Sequence, residues 1–168
     1  MKIAITDACI FIDLLELELA LSFFTLHIDV HTSLNVFNEL NPAQKNELGS
    51  YIIDGKLTVH NISEAENHLI AAEKFPSSLS LSDRTVLFLA IKQDAMVLSS
   101  DKAVRHNAKI RSIEYHGMLW ILDQLVEAGQ LLKQDAIIKL KAMIASNMIY
   151  QNNKELTAEM NKRLRKWG

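Results

Sequence analysis

Four acidic residues, Asp7, Glu39, Asp83 and Asp101, are the side chains of this 168-residue sequence whose types and spacing can do chemistry. Asp7 follows the short apolar run Lys2–Thr6, and Asp101 follows Ala95–Leu98 and the pair Ser99-Ser100, so each ends a predicted strand. Asp83 opens a predicted helix behind Ser80 and Ser82, either of which can cap it. Glu39 lies four residues after Asn35 in a helix expected to follow the strand Ile28–Thr32, so the two share a face. In a parallel α/β sheet, the helix before a strand begins at the edge where the strands finish, and such folds bind ligands there. All four acids therefore map to one edge. Carboxylates gathered without a basic partner repel, and a divalent cation is the simplest remedy. Singly, each acid has a structural role: Asp7 and Asp101 as caps, Asp83 through the helix dipole, Glu39 as a solvated helix residue. Their convergence on one edge is what points to a site.

The elements that must position these acids alternate along the chain. After the first strand, Ala8 to about Leu21 reads as a helix with Ile10, Leu14, Leu17 and Leu21 along one side. Ser33 can cap a helix carrying Val36, Phe37 and Leu40, which Asn41-Pro42 breaks. A surface helix over about Ala43–Ile53 and the turn Asp54-Gly55 lead to a third strand, Leu57–Ile62. Ser63 and Glu66 form a capping box for a helix to about Phe75. The loop Pro76-Ser77-Ser78 leads into the helix Arg84–Lys92, made apolar by Val86, Leu87, Leu89, Ala90 and Ile91. A helix from Asp101 to Lys109, a fifth strand Ser112–Tyr115 and an apolar helix Gly117–Ala128 closed by Gly129 follow. Helices over Lys133–Asn147 and Lys154–Lys166 end the chain. Strands alternating with helices at this spacing imply right-handed crossovers and a parallel sheet of about five strands.

Bulk properties narrow the function. With 49% hydrophobic and 23% charged residues the composition is that of a globular protein, and a net charge of −2 gives no overall pull toward nucleic acid or membrane. Lys154–Gly168 holds five Lys or Arg and two acids, a tail of +3 on a body of −5. That tail can touch RNA, dock a partner or be a frayed surface helix, the last being the default. One cysteine, Cys9, excludes an intramolecular disulfide and a cysteine zinc cluster, and it reads as a buried small residue rather than a nucleophile. There is no HExxH pair, no Walker lysine and no GxGxxG. No run has the length of a membrane span and no signal peptide precedes the first strand, so a cytoplasmic location without membrane contact is expected.

The stretches that carry the four acids resemble the PIN-domain nucleases. They are ITDACIFIDL with Asp7, VHTSLNVFNEL with Glu39, LSLSDRTVLFLAIKQ with Asp83, and AMVLSSDKAVR with Asp101. IEYHGMLWILDQLVEAGQL resembles the helix after the last strand in PIN relatives described as predicted nucleic-acid-binding proteins. The resemblance covers about Met1 to Leu132 and implies a three-layer α/β/α fold around the parallel sheet, so a nuclease domain over residues 1–132 and a helical extension over 133–168 are expected. Two departures stand out. Cys9 replaces the Asn or Ser that many members carry two residues after the first acid, which loses a polar contact. Lys102-Ala103-Val104-Arg105 supplies none of the further acid that many carry after the fourth, so one metal rather than two is expected.

The resemblance implies a ribonuclease that uses Mg²⁺, with Mn²⁺ an alternative, to hydrolyse phosphodiester bonds. Asp7, Glu39, Asp83 and Asp101 would be the catalytic set; Asp7 and Asp101 would ligate metal, with Asp83 direct or through water. Thr6 and Ser99 would support the ligands, and Lys102 and Arg105, beside the site, would hold substrate phosphates unless they only line a solvated helix face. RNA is the implied substrate. Small members of this kind are often VapC-type toxins, so an antitoxin protein and a second copy of the chain are the protein partners to consider. Two further classes compete. One is a non-catalytic RNA- or partner-binding module, favoured by Cys9 and the missing acid. The other is a phospho-acceptor signalling domain, disfavoured because no strand ends in the lysine such domains use and Asp83 opens a helix.

Overall fold

Position in the sheet follows from how apolar each strand is. The computed structural model describes residues 1–168, the side chain of Ile149 excepted. The strand β1 (Lys2–Thr6), fully buried from Ala4 on, is central, with parallel partners on both sides: β2 (Ile28–Ser33) and β4 (Met96–Leu98). β3 (Leu57–His60), buried only at Leu57, pairs only with β2, and β5 (Tyr115–His116) pairs only with β4. The order is β3-β2-β1-β4-β5, all parallel and flanked by helices, the three-layer α/β/α architecture expected from the sequence. The chain runs outward from β1 to β3 and then returns to the other side of β1. The topological switch point therefore lies between the carboxyl ends of β1 and β4.

The chain falls into two compact units: Met1–Ile12 with His27–Met118, and Asp13–Leu26 with Leu119–Gly168. In the first unit, helix boundaries follow caps. α3 (Leu34–Phe37) is one turn capped by Ser33. α4 (Pro42–Ile53) starts at Pro42, since Asn41 caps it and proline suits the first helical position; Asn41-Pro42 opens this helix as well as ending the turn before it. α5 (Glu64–Ala72) has the expected capping box of Ser63 and Glu66. α6 (Leu81–Gln93) is capped by Ser80, not Ser82, and packs on β1, β2 and β4 with Thr85–Ala90 buried. α7 (Lys102–Ile110) is capped by Asp101 and reaches Ile110, so β5 begins at Tyr115 rather than Ser112, after Ser112 takes a positive φ of 56°.

α1 (Ala8–Glu16) ends well before Leu21, because Glu18 takes a φ of 57° and breaks the helix. Its residues beyond Ile12 belong to the second unit, with the short α2 (Ala20–Phe23). Leu14 and Leu17 are buried as the periodicity implied, but Leu21 is 69% exposed. The rest of that unit comprises α8 (Met118–Glu127) beyond Met118, α9 (Lys133–Ser146), α10 (Met148–Asn152) and α11 (Lys154–Trp167). The basic tail is not a frayed end. Arg163 donates through Nε and Nη2 to Asp123 at 2.9 and 2.7 Å, and Met160 and Trp167 are buried.

Candidate active site

Asp7 is the first residue beyond β1, and its backbone N–H still donates to the Leu98 carbonyl of β4 at 3.1 Å, which fixes it at the switch point. Its side chain is 5% exposed. Oδ1 accepts from the Cys9 thiol at 2.8 Å and from the Ile10 backbone N–H at 3.3 Å, and Oδ2 accepts from the Ser99 hydroxyl. Burial pushes the carboxyl up to about 6, against the lowering effect of those three donors, and the negative charge of Asp83 adds to the rise. No ion pair reaches Asp7, Asp83 or Asp101 among the described residues.

The loop after β4 is built around Ser99, which is fully buried. Its Oγ donates to Asp7 and accepts from the Asp101 backbone N–H at 3.0 Å, so one hydroxyl links two of the acids. The Ser100 N–H points to Cys9 Sγ at 3.4 Å. Asp101 is exposed, and its Oδ1 accepts from Val104 N–H at 3.0 Å. Each carboxylate oxygen has two lone-pair directions, so capping leaves Asp101 with acceptor capacity.

Asp83 reaches the same edge from α6. Its Oδ2 accepts from Ser80 N–H at 3.0 Å while Ser80 Oγ accepts from Asp83 N–H at 3.1 Å, a reciprocal box that holds the carboxylate at the helix start. Two residues on, Thr85 Oγ1 and Ser33 Oγ are 2.7 Å apart and fully buried, which ties this end of α6 to the end of β2.

The remaining sequence candidates divide. Ser99 holds Asp7 as expected. Thr6 does not: its carbonyl accepts from Thr32 Oγ1 at 2.7 Å, and its buried hydroxyl makes no hydrogen bond among the described residues. Cys9 takes the supporting role instead. The position two residues after the first acid keeps a donor, a thiol in place of an amide or hydroxyl, and its spacing was the signal that could have shown this. Glu39 is exposed and lies in the turn after α3, not in a helix, because α3 stops at Phe37. Helical face-sharing with Asn35 is therefore lost, and no hydrogen bond ties Glu39 to the other acids among the described residues. Lys102 is exposed at the first position of α7, next to Asp101. Arg105 is turned inward, with Nη1 donating to the Ser99 carbonyl at 3.1 Å and its guanidinium 5.1 Å from the Tyr115 ring centroid.

The donor chemistry fits a hard divalent cation. Asp7 is a buried carboxylate with no cationic partner among the described residues, and a second carboxylate, Asp83, raises its proton affinity further. Among the described residues no three acids, cysteines or histidines converge as a ready cage. Mg²⁺ needs none, since it binds through one or two carboxylates and keeps most of its waters. Asp7 would hold it, with Asp83 the acid whose charge Asp7 feels and Asp101 linked to Asp7 through the Ser99 hydroxyl.

A family model described as a PIN domain matches residues 3–166, and so takes in the helices beyond Leu132. Among solved structures, the chain is similar to a PilT N-terminus domain protein from the hyperthermophilic archaeon Sulfolobus solfataricus. The two share 16% identity and a TM-score of 0.52 over 75% of this chain and 95% of that one, a likeness of fold. No curated protein matches.

Proposed function

The chain belongs to the PIN-domain family, a nuclease-type fold, and from that premise we propose that it is a metal-dependent ribonuclease. The observation that supports this most is Asp7: a buried carboxylate at the switch point, held by three donors and left without a counter-charge among the described residues. A divalent cation, Mg²⁺ or Mn²⁺, held there supplies Lewis-acid polarisation of a phosphoryl oxygen and a water nucleophile of lowered pKa. The chain's own residues do the rest. Cys9, Ile10 N–H and Ser99 fix both oxygens of Asp7. Ser80 fixes Asp83, the acid best placed to accept a proton from the attacking water. Lys102, at the mouth of the site, offers a cation to a substrate phosphate. Glu39, exposed and untethered, is at most a peripheral contributor. The hydrolysis breaks one P–O bond of RNA and needs no other cofactor.

A toxin role, restrained by an antitoxin and exercised as monomer or homodimer, is the finer form of this reading. The rival is a PIN module that binds RNA without cleaving it, favoured by the absence of an acid between Lys102 and Arg105. One experiment separates them. Purified wild type should cleave a fluorogenic RNA in Mg²⁺ or Mn²⁺ and stop with EDTA, and Asp7→Asn should lower the rate at least about a hundredfold while remaining folded. Induced in a bacterial host, wild type should arrest growth and Asp101→Asn should not. An Asp7→Asn protein that cleaves at the wild-type rate overturns the assignment of the site, and RNA binding without turnover by the wild type supports the module.

A further inference from the structure

Gly117 has no backbone reason to be glycine. Its φ lies outside the left-handed region; Gly55 and Gly129 are the glycines that occupy it. What it leaves is room. A Cβ built at position 117 would fall 2.6 Å from Arg105 Nη1, while the next nearest atom, the Ser99 carbonyl oxygen, would be at an ordinary 3.5 Å. The guanidinium fills that room, donates to the Ser99 carbonyl at 3.1 Å and packs 5.1 Å from the Tyr115 ring centroid. Ser99 N–H in turn donates to the His116 carbonyl at 3.0 Å, so the residue is held through both ends of its backbone. Its hydroxyl is thereby presented to Asp7 on one side and to the Asp101 N–H on the other.

We propose that Arg105 is a positioning residue: admitted by the missing side chain of Gly117, it clamps the Ser99 carbonyl and so sets the distance between Asp7 and Asp101. Among the described residues it makes no hydrogen bond to either acid, and its Nη1 is committed to the Ser99 carbonyl rather than to a substrate phosphate. The chemical part of the proposal rests on the nuclease reading above; the structural part does not.

The chain carries its own reporter for the clamp. Cys9, in α1, is its single cysteine and is half-buried, with its sulfur between Asp7 Oδ1 and the N–H of Ser100, the residue that carries the clamped loop over it. Its rate of reaction with a disulfide reagent, measured in EDTA, reads loop opening without metal, RNA or turnover. Arg105→Ala should raise that rate about tenfold, which is what removing one charge-assisted hydrogen bond does to a local opening equilibrium. Gly117→Ala should match it, because the added methyl evicts only the flexible end of a side chain, and the double variant should be no worse than either single one. Arg105→Lys should recover part of the loss, and Lys109→Gln, on the exposed side of α7, should leave the rate unchanged. An unchanged rate in Gly117→Ala, or additive effects in the double variant, would overturn the clamp. In an RNA-cleavage assay, both single variants should lower kcat with KM held; a raised KM at constant kcat would instead make Arg105 a phosphate contact. A wild type that cleaves no RNA removes the nuclease reading and leaves the thiol measurement to decide the clamp.

Discussion

Asp7 carries a free-energy cost that its three donors do not remove. Its carboxyl is raised from 3.8 to about 6 by burial, so between those values the native state binds more protons than the unfolded chain. Stability therefore falls as pH rises through that window and stays low above it, by about 3 kcal/mol in total. A neutral Asn at position 7 escapes the penalty. In EDTA, the stability of Asp7→Asn relative to wild type should increase by about that amount between about pH 4 and pH 7, read from denaturant unfolding at each pH. Mg²⁺ at tenfold over its dissociation constant should return roughly 1.4 kcal/mol to the wild type and nothing to the variant. A pH-independent difference would show that Asp7 is not strained by its charge and would undo the case for a cation beside it. At this scale the sequence was informative about residue type and less so about partners. The Cys9 thiol on Asp7 and the Ser99 hydroxyl under Asp101 each bridge two residues and were legible from spacing, whereas the bond from Ser99 to Asp7 spans 92 residues and the inward turn of Arg105 is set by Gly117 and Tyr115 on another element.

The helices show why boundaries were harder to read than cores. β1 ends where its apolar run ends, and the capping box of Ser63 and Glu66 is visible in the letters. α1 continues an apolar period past Glu16, and nothing in that period announces the left-handed Glu18 that stops it. Glu39 was misplaced for the same reason: α3 is a single turn, too short for face periodicity to apply. α6 carries the consequence that matters for the site, because Asp83 completes the capping box of a helix and its negative charge also raises Asp7. Ser80→Ala removes the cap alone and should lower stability by about 1 kcal/mol, equally in EDTA and in Mg²⁺. Asp83→Asn keeps a capping oxygen and relieves repulsion on Asp7 but gives up a favourable dipole term, opposing contributions of which the dipole part is about 0.3–1 kcal/mol. It should therefore leave the melting temperature in EDTA nearly unchanged while shrinking the gain on adding Mg²⁺. A parallel loss in both buffers would make Asp83 a cap and nothing more.

The whole molecule offers an RNA little long-range attraction, since its net charge is −2, so binding must come from local cations. Among the exposed cations of the described residues, two sets bear on the substrate path. Lys102 stands one residue beyond Asp101 at the start of α7, while Lys162, Arg165 and Lys166 lie on α11 in the other compact unit. A phosphate that reaches the acidic edge must enter a region of negative potential, and Lys102 is the exposed cation adjoining it in the chain. Each lysine that neutralises one phosphate contributes about 0.7 to the slope of log affinity against log salt for a single strand. Measured with a fluorescent single-stranded RNA, in EDTA and on an Asp7→Asn background to prevent cleavage, Lys102→Gln should weaken binding and lower that slope by about one contact. The effect should be the same for unrelated sequences, because a phosphate contact positions without reading bases. A slope unchanged by Lys102→Gln but lowered by Lys162→Gln with Lys166→Gln would move the RNA track to α11 and remove Lys102 from the site.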